Sequence, residues 1–173
     1  VPSSPGGGRI APGPMALTCT LGPRATARAR VGADYLCSRP EVRKERIGCY
    51  GHSMGSTFTW LVGPWEPRLT CLVGNCCLPT YAGIHRTHIL HCFPNFIPGW
   101  YQYGDTPDIA ALIAPRALHL NFGELDGGSP IQEVREGVQR IALAYQEAGA
   151  PQNFSWYVED GAGHVLSDEM WRR

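Results

Sequence analysis

An α/β fold, a mainly parallel sheet flanked by helices, is the class this sequence predicts. Four short runs rich in β-branched and aromatic residues, at 46–50, 69–73, 117–122 and 154–158, alternate with segments of helical periodicity. Alternation at that spacing is what crossover units on a parallel sheet require. With 43% hydrophobic and 17% charged residues the chain can bury a core, and its 173 residues fit one domain.

The elements follow in order. Pro and Gly crowd residues 1–14 (VPSSPGGGRIAPGP) and deny the backbone regular hydrogen bonding, so an irregular tail is expected over 1–25, ahead of a domain at 26–173. From 27 to 37 the pattern is helical, with Val31, Tyr35 and Leu36 on one side and Pro40 closing the segment. Strand 46–50 leads through Gly51–Gly55 into a helix at 56–62, stopped by Gly63-Pro64, and strand 69–73 follows. Residues 75–104 read as a long loop crowded with Phe93, Phe96, Trp100, Tyr101 and Tyr103, the kind that lines or covers a site. Pro107 opens a short helix reaching Ala114, and strand 117–122 comes next. Ser129-Pro130-Ile131-Gln132 has the form of a capping box, and Ile131, Val134, Val138, Ile141 and Tyr145 recur at helical spacing behind it until Gly149. Strand 154–158 and a helix at 165–171 complete the chain.

Charge and cysteine usage narrow the function. Lys plus Arg number 15 and Asp plus Glu 15, so no net field recruits nucleic acid or an anionic membrane, and a small neutral substrate fits better. Seven basic residues lie between Arg24 and Arg46, but without interleaved aromatics they read as a solvated helix face. Seven scattered Cys, an odd number with no C-x-x-C pair, suit a reduced, cytoplasmic setting. MALTCTL at 15–21 lacks the form of a signal peptide, and no run reaches the roughly 18 apolar residues of a membrane span.

The chemistry concentrates at three places. Gly51-His52-Ser53-Met54-Gly55 is G-x-S-x-G between a strand and a helix, the context of a nucleophile elbow. Glycine is expected to be required at both flanking positions, because the turn is so tight that side chains there would meet the backbone, and Ser53 is then forced to project at a helix N-terminus. There the amide of Met54 is placed to receive developing negative charge. A serine hydroxyl needs a base, and the base needs an orienting carboxylate. Asp126 follows strand 117–122 at the sheet's carboxyl edge, and His164 follows strand 154–158 in a Gly-rich loop. Glu124 and Asp160 compete for the role of acid, with Asp126 preferred for its G-x-x-D placement. His52 is assigned packing beside the elbow. His85, His88 and His91 with Cys92 suggest a metal at first sight, but spacing of three drifts round a helix by about 60° per step, so no metal site is assigned.

These residues resemble the dienelactone-hydrolase-like and acetyl-xylan-esterase-like branch of the α/β-hydrolases. The resembling segments are 34–42, Arg46-Ile-Gly-Cys-Tyr-Gly-His-Ser-Met-Gly-Ser56, Ile113-Ala-Pro-Arg116, Gly123-Glu-Leu-Asp126 and Gly161-Ala-Gly-His164. The resemblance implies the C-terminal part of an α/β-hydrolase fold and a carboxylic-ester hydrolase working through an acyl-enzyme, without metal or organic cofactor. Dienelactone hydrolases use a Cys nucleophile, so Ser53 points to the esterase side. The substrate expected is a small or acetylated ester, with Trp100 and Tyr103 as walls of its pocket. Only 45 residues precede Arg46 and Gly6-Gly7-Gly8 is not an H-G-G-type loop, so a member that is N-terminally truncated or carries an unrelated N-terminus is expected, with its second oxyanion donor unassigned. A prolyl-oligopeptidase-like serine peptidase shares the triad order, and an inactive hydrolase-like interaction module is the alternative from another class.

Overall fold

The computed structural model describes residues 21–89, 91, 97 and 99–173. Its centre is a four-stranded, wholly parallel sheet in the order β1 (Ile47–His52), β2 (Leu69–Asn75), β3 (Ala117–Gly123), β4 (Phe154–Glu159). Because each strand pairs with its successor in the same direction, all four carboxyl ends open on one edge. The register puts His52 beside Asn75 and Asn75 beside Asn121 there.

One face of the sheet carries the core. Leu72, Leu118, Leu120 and Phe122, with Phe154, pack against Trp60 of helix α2 (Met54–Val62) and against Val134, Val138, Ile141 and Tyr145 of helix α5 (Ile131–Glu147). Full burial of each such aliphatic side chain stabilises the fold by about 1.5–3 kcal/mol. The Trp60 indole N–H is buried with its ring and donates to the Cys77 carbonyl at 3.0 Å, which removes the cost of stranding it. The opposite face, reached by the alternate residues of each strand, meets helix α6 (Asp168–Arg172). There Asn121 donates to the Met170 carbonyl, and the Trp171 ring stands edge-on to Tyr50 at 5.5 Å.

Several expected elements are corrected. Helix α1 (Leu21–Ser38) begins six residues before the expected start, so residues 21–25 of the expected tail are helical; Pro23 sits in its first turn, where a missing N–H leaves no bond unmade. Its packing face is Ala29, Ala33 and Cys37, spaced by four, while Val31 and Tyr35 face solvent at 65% and 62% exposure. Small side chains let α1 lie close on α2, and hydrophobicity alone singled out the wrong side. Within the expected loop at 75–104, helix α3 (Tyr81–Thr87) forms behind the Thr80 cap, and Trp100–Gln102 make a 3-10 turn. Phe93 and Phe96 lie outside the described residues. Helix α4 (Thr106–Ala111) starts from Asp105, whose capping box with Asp108 places Pro107 in the first turn. The expected capping box on α5 does not form: its N-cap is Pro130, and the Ser129 hydroxyl instead accepts from the Leu78 amide at 3.3 Å. No helix among the described residues is long and apolar enough to cross a membrane.

Candidate active site

Ser53 joins β1 to α2 with φ 57° and ψ −118°, a strained conformation for a residue with a side chain. The turn is held by the Ser53 amide donating to the Asn75 carbonyl at 2.8 Å and the Thr57 amide donating to the Ser53 carbonyl at 3.2 Å. Only one of the two flanking glycines is required by space. A Cβ on Gly51 would lie 2.0 Å from the Gly55 carbonyl oxygen, whereas a Cβ on Gly55 meets nothing within 4 Å. Gly51→Ala is therefore expected to cost about 1–3 kcal/mol or more, as overpacking does, and to lower Tm by about 2–4 °C for each kcal/mol. Gly55→Ala is expected to leave Tm unchanged, and thermal melts of the two variants check the contrast.

The structure brings Ser53, His164 and Asp126 into one relay. His164 Nε2 lies 2.7 Å from Ser53 Oγ, and His164 Nδ1 lies 2.8 Å from Asp126 Oδ2. Asp126 is buried and its other oxygen accepts the Gly128 amide at 2.9 Å. A buried carboxylate that can only accept fixes the imidazole proton on Nδ1, leaving Nε2 to accept from the Ser53 hydroxyl. Neither competitor for the acid reaches His164: Glu124 accepts the Gly161 amide at 2.9 Å, and Asp160 is exposed.

The His164 loop is seated by close backbone contact. The Leu125 amide donates to the Ala162 carbonyl at 2.8 Å, and a Cβ on Gly123 would lie 2.1 Å from the Gly163 carbonyl oxygen. Just past His164, the Val165 carbonyl accepts from the Asn75 amide at 3.0 Å and from the Cys76 thiol at 3.1 Å. Burial first, and the Asp126 charge second, push the Cys76 thiol up to about 11, so it serves as an S–H donor at neutral pH. His52, read from sequence as a packing neighbour, touches the site more closely than that. Its Nδ1 accepts from the Asn75 side chain at 2.7 Å and its ring lies 5.1 Å from that of His164. Burial and then the neighbouring His164 hold His52 below the usual imidazole range, which favours its neutral form.

Met54 is the first residue of α2, and N–H groups in the first helical turn have no intrahelical acceptor. It borders an open cleft with about 40 Å³ of free space shared with Ser53 and His164, whose remaining described walls are Thr57, Cys76, Cys77, His91 and Gly128. Trp100 and Tyr103 are not among them. Trp100 packs half-buried against the core, and Tyr103, at the C-cap of the 3-10 turn, is 86% exposed. The three histidines considered for a metal also separate: His91 Nε2 lies 2.7 Å from the Gly128 carbonyl oxygen, His85 is exposed on α3 and His88 is exposed at its left-handed cap. Cys92 lies outside the described residues. What sequence reasoning missed is Asn75-Cys76-Cys77. Its one available signal was position, immediately after a parallel strand on the edge where ligands bind.

Strand order, the serine at the strand-to-helix turn and the relay behind it define the class, an α/β-hydrolase fold. The chain belongs to the Abhydrolase family, whose sequence model matches residues 21–161. It is 29% identical over 134 residues to YtaP of Bacillus subtilis (strain 168), which carries a hydrolase designation; the match covers 76% of this chain and 44% of YtaP. A glucuronoyl esterase from Solibacter usitatus superposes with a TM-score of 0.70 at 20% identity, over 98% of this chain and 50% of that one. The glucuronoyl esterase catalytic domain (Cip2_GE) from Hypocrea jecorina gives 0.70 at 17% identity, over 86% and 48%. A Bacteroides fragilis protein designated an acetyl xylan esterase gives 0.59 at 21% identity, over 78% and 35%. The chain thus spans half the length of these proteins or less.

Proposed function

We propose that the protein is a serine hydrolase that cleaves small carboxylic esters, acetyl esters among them, through an acyl-enzyme on Ser53. The observation that carries this reading is the pair of hydrogen bonds from Ser53 Oγ through His164 to Asp126. Ser53 Oγ attacks the ester carbonyl as His164 Nε2 takes its proton, and the carbonyl oxygen becomes an oxyanion facing the Met54 N–H. The intermediate collapses, His164 returns the proton to the leaving alcohol, and the acyl group stays on Ser53. Water then attacks with His164 again as base, and the carboxylic acid leaves. Asp126 stays ionised throughout and stabilises the imidazolium in both halves.

The cleft beside Ser53 holds only about 40 Å³ of free space, which suits a short acyl group, and the proteins sharing this fold carry esterase names. The test sets p-nitrophenyl acetate against a prolyl aminoacyl-amide. Saturable ester turnover with a sharp decline toward decanoate is the expected result. Amide cleavage without ester turnover would establish the peptidase reading, and no turnover of either together with no fluorophosphonate labelling would establish the inactive one.

Asn75 enters as a positioning residue, because its buried amide ties His52, Cys76 and the Val165 carbonyl together behind His164. Asn75→Ala is expected to lower kcat about tenfold, one buried hydrogen bond's worth of alignment, with KM little changed. Rates are normalised to the fraction that labels with fluorophosphonate, so loss of folded protein does not count. An unchanged normalised kcat would leave Asn75 with a packing role alone.

A further inference from the structure

We propose that Cys76, Asp126 and His164 form a binding site for Zn²⁺ whose occupancy switches off the Ser53 relay; the switching-off rests on the serine-hydrolase reading, the binding does not. One ligand atom from each of the three residues lies within 4.8 Å of the other two, the one such grouping among the described residues. They come from the ends of three different segments, after β2, after β3 and after β4, so the sheet edge and not local sequence brings them together.

The donor set is a thiolate sulfur, an imidazole nitrogen and a carboxylate oxygen, the three ligand types Zn²⁺ takes in four-coordinate sites that keep one position for water. Bond lengths of roughly 2.0–2.3 Å put tetrahedral sulfur and nitrogen ligands about 3.6 Å apart, so a pair at the 4.8 Å bound closes by roughly 1.2 Å. The exposed His164 imidazole makes that shift by turning about its own side-chain bonds, with its loop left seated. Charge also favours the ion. One thiolate and one carboxylate neutralise a dication, and the Asp126 charge that disfavours a bare thiolate at Cys76 attracts a cation to the same place. The Asn75 amide already donates to Cys76 Sγ at 3.3 Å, an outer contact of the kind that steadies a metal-bound thiolate.

Binding balances as follows. Cys76 loses its thiol proton to solvent as the Zn–S bond forms, and Asp126 exchanges its hydrogen bond with His164 for a bond to the metal. His164 Nδ1 then binds the ion, and its proton moves to Nε2. An Nε2–H facing Ser53 Oγ can no longer accept the serine proton, so the nucleophile is left without its base.

The probe is Co²⁺ titrated into the protein, followed by the thiolate-to-cobalt charge-transfer absorption in the near ultraviolet, with Zn²⁺ then added to displace it. The expected result is a band that Zn²⁺ abolishes, that is lost in Cys76→Ser and that survives Cys77→Ser and Cys71→Ser, Cys71 being the exposed thiol among the described residues. Zn²⁺ should also inhibit ester turnover reversibly with EDTA, and at least about tenfold more Zn²⁺ should be needed in Cys76→Ser, since even outer-contact changes cost 10–100-fold in metal affinity. His164→Gln, a substitution at an exposed position, serves as the second variant and should weaken Co²⁺ binding by a similar factor. A band that persists in Cys76→Ser, or Co²⁺ affinity in His164→Gln equal to the parent's, would overturn the site. A protein that shows the Cys76 band and no ester turnover overturns the serine-hydrolase reading alone; an active hydrolase with no band overturns the metal site alone.

Discussion

Ser53→Ala is expected to lower kcat for p-nitrophenyl acetate by about a million-fold, the order of loss when a serine relay is deprived of its nucleophile. The effect is that large because His164 and Asp126 act only through the Ser53 oxygen, 2.7 Å from His164 Nε2. The fold should not change. The substitution removes one hydroxyl from a half-buried position and leaves no cavity, so Tm should stay within about 2 °C of the parent, less than 1 kcal/mol for a domain of this size. A variant that keeps the melting transition and still turns over ester at the parental rate would remove Ser53 from the chemistry.

Asp126→Asn should be next in size, with kcat reduced about ten-thousandfold. The asparagine fits the space but can present an N–H to His164 Nδ1 in place of an acceptor, which drives the imidazole proton to Nε2 and faces a donor at Ser53. The Gly128 amide bond to the same side chain fixes which way that side chain lies. Glu124→Gln is the control two residues away. Its amide oxygen still accepts from Gly161, so a loss within about threefold is expected, well under the 1.4 kcal/mol that a tenfold change represents. Losses of equal size at the two positions would mean that the carboxylate orienting His164 has been misassigned.

The contrast between these two acids shows which parts of the site are legible in sequence. Ser53, Asp126 and His164 each sit just beyond a strand in a short pattern set by backbone geometry, and the parallel sheet delivers the ends of β1, β3 and β4 to one edge whatever the side chains between them. Gly51 was legible for the same reason. Gly55 was not, since the open space beside it is set by tertiary packing. Side-chain direction in irregular segments was also out of reach. Trp100 and Tyr103 look alike in sequence, yet packing of one 3-10 turn buries the first in part and exposes the second. Ser129 has the local form of a helix cap, and the Leu78 amide, 51 residues away, takes its hydroxyl instead. On α1, Ala29, Ala33 and Cys37 outrank Val31 and Tyr35 because the approach of α2 selects small side chains. In each of these cases a tertiary contact overrides a local preference.

Whether this chain forms its covalent intermediate on Ser53 with His164 as base is read out by mass spectrometry of its peptides after brief exposure to a fluorophosphonate. The reagent phosphonylates only a serine activated by an adjacent base. A single adduct is expected, on Ser53, formed far more slowly in Asp126→Asn. An adduct on another serine, or ester turnover without any adduct, would contradict it.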